Sequence, residues 1–114
     1  MKNFYLLVAC LLIGGSSFAA KPPAINQKAL KEAFEDTLKD ADSAKFKDLT
    51  QTPSETAGAW RLCGSVNAKN SYGAYGGYEP FLGMTFVEKG KPVQYVVLGM
   101  GEAAGMVCRG ETKQ

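Results

Sequence analysis

Phe4 to Ile13 is an unbroken apolar run (FYLLVACLLI) behind the single positive charge of Lys2, and Gly14-Gly15-Ser16 closes it. A membrane-spanning helix needs roughly 20 apolar residues. This run is shorter, and it reads as the h-region of an export signal whose cleavage site is supplied by the small residues of Ser17-Phe18-Ala19. The organisation expected is a signal peptide over 1–19 and a single domain over 20–114, periplasmic or secreted, with no transmembrane span in the mature chain. This feature restricts the fold most, because it delivers only about 95 residues to an oxidising compartment, where a modest core gains from a covalent staple. Cys10 leaves with the signal, Cys63 and Cys108 remain, and an even count in that compartment predicts a Cys63–Cys108 disulfide.

An alternative start is written into the same segment. Leu7-Val8-Ala9-Cys10 has the form of a lipobox, which would make Cys10 a lipid-anchored N-terminus. It comes early, however, leaving a short h-region and a mature chain that would begin with the apolar Leu11-Leu12-Ile13. The charges exclude another class of partner. Lys and Arg number 13 against 11 Asp and Glu, with the signs interspersed, so no basic stripe is present to follow a phosphate backbone and nucleic acid is not an expected partner.

Downstream, two hydrophobic periods divide the domain. Leu30, Ala33, Phe34, Thr37, Leu38 and Ala41 recur at helical spacing, with Lys28, Glu32, Glu35 and Lys39 on the other sides, predicting an amphipathic helix from about Asn26 to Ala41. From Lys45 the period becomes two. Phe46–Thr52 reads as a short strand ended by Pro53, and Trp60, Leu62, Gly64 and Val66 alternate with Arg61, Cys63, Ser65 and Asn67 as a strand with one buried face. Phe81–Glu88 and Pro92–Leu98 read as a hairpin across Lys89-Gly90-Lys91. Gly99–Gly105 reads as loop, with a brief edge strand at Met106–Cys108. The expected fold class is therefore α+β: one N-terminal amphipathic helix packed on a small antiparallel sheet of three to five strands.

Three blocks carry a resemblance: Leu38-Lys39-Asp40-Ala41-Asp42-Ser43-Ala44-Lys45-Phe46, then Cys63-Gly64-Ser65-Val66-Asn67-Ala68-Lys69-Asn70, then Gly76-Gly77-Tyr78. Over roughly 38–86 the chain resembles a family of small exported or lipoprotein-type bacterial proteins of unknown function. The resemblance implies a small α+β envelope domain and no activity. Ala41 departs from the pattern, which has proline there, and so does Glu79-Pro80 after the Gly-Gly-Tyr.

The chain has no histidine, so Ser/His/Asp and Cys/His machinery is excluded, and a disulfide would leave no thiol nucleophile. Paired carboxylates are the one remaining catalytic chemistry; Glu79, Glu88 and Glu102 are the candidates for an alternative reading as a hydrolase of envelope glycan. No catalytic, metal or cofactor residues are assigned. Two cysteines without histidine make no ordinary zinc site, Met84, Met100 and Met106 lack the close repeat of a copper site, and Gly73, Gly76 and Gly77 lack the Lys-Ser/Thr and helix of a phosphate loop. What remains is Tyr72, Tyr75 and Tyr78 interleaved with glycine in the segment 67–78. Tyrosine offers a large amphipathic surface at low entropic cost, and glycine allows close backbone approach. The same pattern also suits a purely structural turn. The functional reading is a non-catalytic binding or inhibitor-like module that engages an envelope protein or glycan through Lys69, Asn70, Tyr72 and Tyr75, with Tyr78 leaning on the sheet beside Phe81.

Overall fold

The structure, a computed structural model, describes residues 21–110. The expected signal peptide and the Cys10 alternative fall outside them. Helix α1 (Gln27–Ala33) opens at Asn26, whose side chain accepts from the Ala29 N–H at 3.0 Å. It is followed by β1 (Asp40–Pro53), β2 (Ala59–Lys69), β3 (Glu79–Phe86), β4 (Gln94–Met100) and a second helix, α2 (Glu102–Cys108). The four strands form one antiparallel sheet in the order β1-β2-β3-β4. Each strand therefore pairs with its neighbour in sequence.

The alternation read in β2 sets the two faces. Leu62 and Val66 are buried on one side with Phe81 and Tyr95, and Leu30 and Phe34 of the α1 segment close over them. The Phe34 and Phe81 rings meet edge to face at 5.1 Å, and Phe46 sits 5.5 Å from Phe34. Aromatic contacts of this geometry add to the burial of the rings themselves. Gly64 is a close-approach position: a Cβ there would stand 2.6 Å from Leu49 Cδ2 and 3.2 Å from the Phe81 ring. Leu49 reaches across it because β1 is bulged between Lys47 and Thr50, with Asp48 at a φ of 56°.

The structure corrects the expected fold. The domain is mostly sheet with two short helices, and its first helix is not an N-terminal element that runs to Ala41. It stops after Ala33, the N–H groups of Thr37 and Leu38 both bonding to the Phe34 carbonyl, and the chain enters β1 at Asp40. Asp40 pairs with Lys69, so β1 takes Asp40 and Ala41, which the helical period had claimed. Leu38 still packs on the core, from a turn. The second correction is α2, which occupies the segment read as loop and edge strand. Gly105, where the loop was expected to end, lies inside this helix; a Cβ there would stand 3.1 Å from Pro80, so glycine lets the helix lie close on β3. The disulfide is present: Cys63 and Cys108 are bonded, Cα to Cα 6.0 Å, fastening α2 to the sheet face opposite α1. No helix of the described residues is long and apolar enough to cross a membrane.

Candidate functional site, a loop and its lysine–tyrosine root

The loop between β2 and β3 is held by its own side chains. Asn70 Oδ1 accepts from the Tyr72 and Ala74 N–H groups at 2.9 and 3.2 Å, while its own N–H donates to the Ala74 carbonyl at 2.8 Å. Asn67 Oδ1 accepts from the Gly77 N–H at 3.0 Å. Asparagine carbonyls in turns commonly replace backbone acceptors in this way. Gly73 and Gly77 take φ values of 80° and 110°, which side-chain-bearing residues rarely adopt. The loop is thereby shaped without burying anything.

Ser43 in β1 is the anchor. Its hydroxyl donates to the Asp40 carbonyl and accepts from the Lys69 N–H at 2.8 Å, and its carbonyl accepts from the Tyr75 hydroxyl at 2.9 Å. A lone bridge between Lys69 and Tyr75 completes the attachment. The three tyrosines therefore have different positions. Tyr72 is 93% exposed at the tip, whereas Tyr75 at 38% and Tyr78 at 42% lie back toward the sheet.

Both inner rings lie beneath cations. Lys45 Nζ stands 4.5 Å from the centroid of Tyr75, with Lys69 Nζ at 5.8 Å from the same ring, and Lys47 Nζ is 4.3 Å from the centroid of Tyr78. All three fall within the range of cation–π attraction. None of these lysines makes an ion pair among the described residues, where the pairs formed are Lys28–Glu32 and Lys91–Glu88. Lys45 and Lys47 oppose Asn67 and Ser65 on the sheet face away from α1. The structure thus brings Lys69, Asn70 and Tyr75 together at the loop root, leaves Tyr72 projecting, and adds Lys45 and Lys47, which the sequence reading did not single out. Their spacing of two on β1 was the available signal. Tyr78, expected beside Phe81, has its ring under Lys47.

The remaining candidates are dispersed. Glu88 sits in the β3–β4 turn paired with Lys91, while Glu79 opens β3 and Glu102 lies in the first turn of α2, at the other end of the sheet. Among the described residues no group of three or more Cys, Asp and Glu could hold a metal ion. A second feature occupies the same sheet face further along: a shallow groove of about 700 Å³ lined by Arg61, Leu82, Met84 and Leu98 with the 52–56 segment. No protein-family model matches the chain, and comparison with curated proteins and with solved structures returns no significant similarity.

Proposed function

We propose that the chain is an exported, non-catalytic binding module that captures an envelope protein or glycan bearing negative charge, using Tyr72 and the lysine–tyrosine root behind it. One observation carries the reading: a fully projecting tyrosine stands at the tip of a loop fixed by Asn67, Asn70 and Tyr75. A ring held out on an ordered scaffold loses little freedom when it is covered, which is the physical basis of aromatic anchors. Lys45, Lys47 and Lys69 supply positive charge without a carboxylate of the described chain to neutralise it. The resemblance to small exported proteins of unknown function belongs to the same proposal.

Crosslinking from intact envelopes with the wild type, Tyr72→Ala and a Lys45→Gln/Lys47→Gln double variant tests it. The expected result is a crosslinked species that both variants weaken while melting as the wild type does. Capture of the same species at unchanged yield by both variants would remove the site from this loop.

A further inference from the structure

The two edges of the sheet are unlike. The β1 edge is interrupted by two bulges and carries Asp40, Asp42, Lys45, Lys47 and Asp48; charge and bulging are common ways of keeping an exposed strand from pairing with another chain. The β4 edge has neither charge nor proline, its sequence being QYVVLGM. Val96 and Leu98 are 45% and 58% exposed. Apart from the ladder to β3, no backbone–backbone hydrogen bond among the described residues involves 94–99, and the bond that ties the strand to the start of α1 runs from the Asn26 N–H to the Tyr95 hydroxyl. Every second residue of such a strand offers an N–H and a C=O to whatever lies beside it.

We propose that β4 is the contact edge of a reversible homodimer, in which two copies pair their β4 strands antiparallel about a two-fold axis and merge their sheets. This inference is independent of the loop reading. Self-complementarity identifies a second copy as the occupant. A two-fold centred at Val96 or Val97 sets apolar residues against each other, Val96 facing itself or Leu98 of the other copy. Leu98, which the bulge between the Leu82 and Gly83 pairings leaves out of the ladder, stands on the same face as Leu82 and Met84. In either register the turn carrying Glu88, Lys89 and Lys91, which keeps a net positive charge with Glu88 paired to Lys91, comes alongside the other copy's Glu102, just beyond β4, and this complementary contact occurs twice by symmetry. An isologous interface requires this of a surface: one patch must match itself after a half turn. A seven-residue strand makes a small interface, so the dimer is weak and concentration-dependent.

Sedimentation velocity on the oxidised protein from about 1 μM to about 1 mM is expected to show monomer and dimer in exchange. Leu98→Lys changes an exposed side chain and is expected to keep the wild-type melting curve while raising the dissociation constant at least about tenfold, because each copy then sets a charge into the seam opposite Gln94 or Val96 of the other. Val96→Lys is the second test should Leu98→Lys fold poorly. Glu102→Lys is expected to weaken the dimer and added Lys91→Glu to restore it. A protein that stays monomeric throughout the range, or a dimer unmoved by both lysine substitutions, overturns the proposal; so does dimer formation without slower amide exchange at 94–100.

Discussion

Thr85 is a polar residue with no exposure, and its hydroxyl is satisfied by a short relay. It donates to Gln51 Oε1 at 2.6 Å, and Gln51 Nε2 donates to the Pro23 carbonyl at 2.7 Å, so β3, β1 and the segment before α1 share one chain of bonds. Thr85→Val is isosteric but strands the Gln51 oxygen, and it is expected to cost about 1–3 kcal/mol by chemical denaturation. Gly64→Ala is expected to cost a similar amount, about 1–3 kcal/mol, because the new methyl meets Leu49 and Phe81. The loop residues behave differently. Tyr72→Ala removes a ring that touches solvent and is expected to shift stability by no more than about 0.5 kcal/mol, whereas Tyr75→Phe loses the bond to the Ser43 carbonyl and is expected to cost about 0.5–1.5 kcal/mol. Equal losses for the two tyrosines in thermal melts would contradict this division of roles.

At the scale of elements, helix α2 depends on its covalent tie. Seven residues are too few for a helix to persist alone in water, and α2 contains a glycine at its centre. A Cys63→Ser/Cys108→Ser double variant is expected to lose about 2–5 kcal/mol and to show fast amide exchange first at 102–108. Uniform loss of protection across sheet and helix would show instead that α2 folds as one unit with the strands. The same helix marks a limit of reading the chain as a string. Strand β2 was legible because Trp60, Leu62 and Val66 are buried at alternate positions, and β3 and β4 were legible as an antiparallel pair, although the seven residues 87–93 connect them in place of the tight turn expected at Lys89-Gly90-Lys91. Helix α2 was not, since Gly105 makes sense only beside Pro80, a contact between distant residues. Helix α1 was over-read for a related reason: Leu38 keeps its apolar contact after leaving the helix, so burial period alone does not fix where helical hydrogen bonding stops.

Across the whole molecule, one sheet face is closed by α1 and the other carries α2, with lysine, serine and asparagine exposed toward β1 and leucine, methionine and valine toward β4. The tyrosine half of the candidate site was visible in the Tyr/Gly interleaving; the lysine half was not, because Lys45 and Lys47 reach the loop only through the pairing of β1 with β2. Capture that relies on those exposed charges is expected to weaken as salt is raised from about 0.05 to about 0.5 M, readable by biosensor, since screening shortens their reach. Capture that does not change over that range would place the energy in the rings alone. The proposed export carries a further expectation, a mature protein beginning at Ala20 or Lys21, and intact mass checks it; a lipid adduct on Cys10 would replace that reading with the anchored one. The disulfide also has a bearing on survival among proteases. The projecting loop at 70–78 is the kind of exposed, small-residue segment that proteases cut first, and it lies inside the ring closed by Cys63 and Cys108. A single nick there opens the ring but releases no fragment, so a cleaved molecule keeps both halves of its sheet and runs as one species until it is reduced.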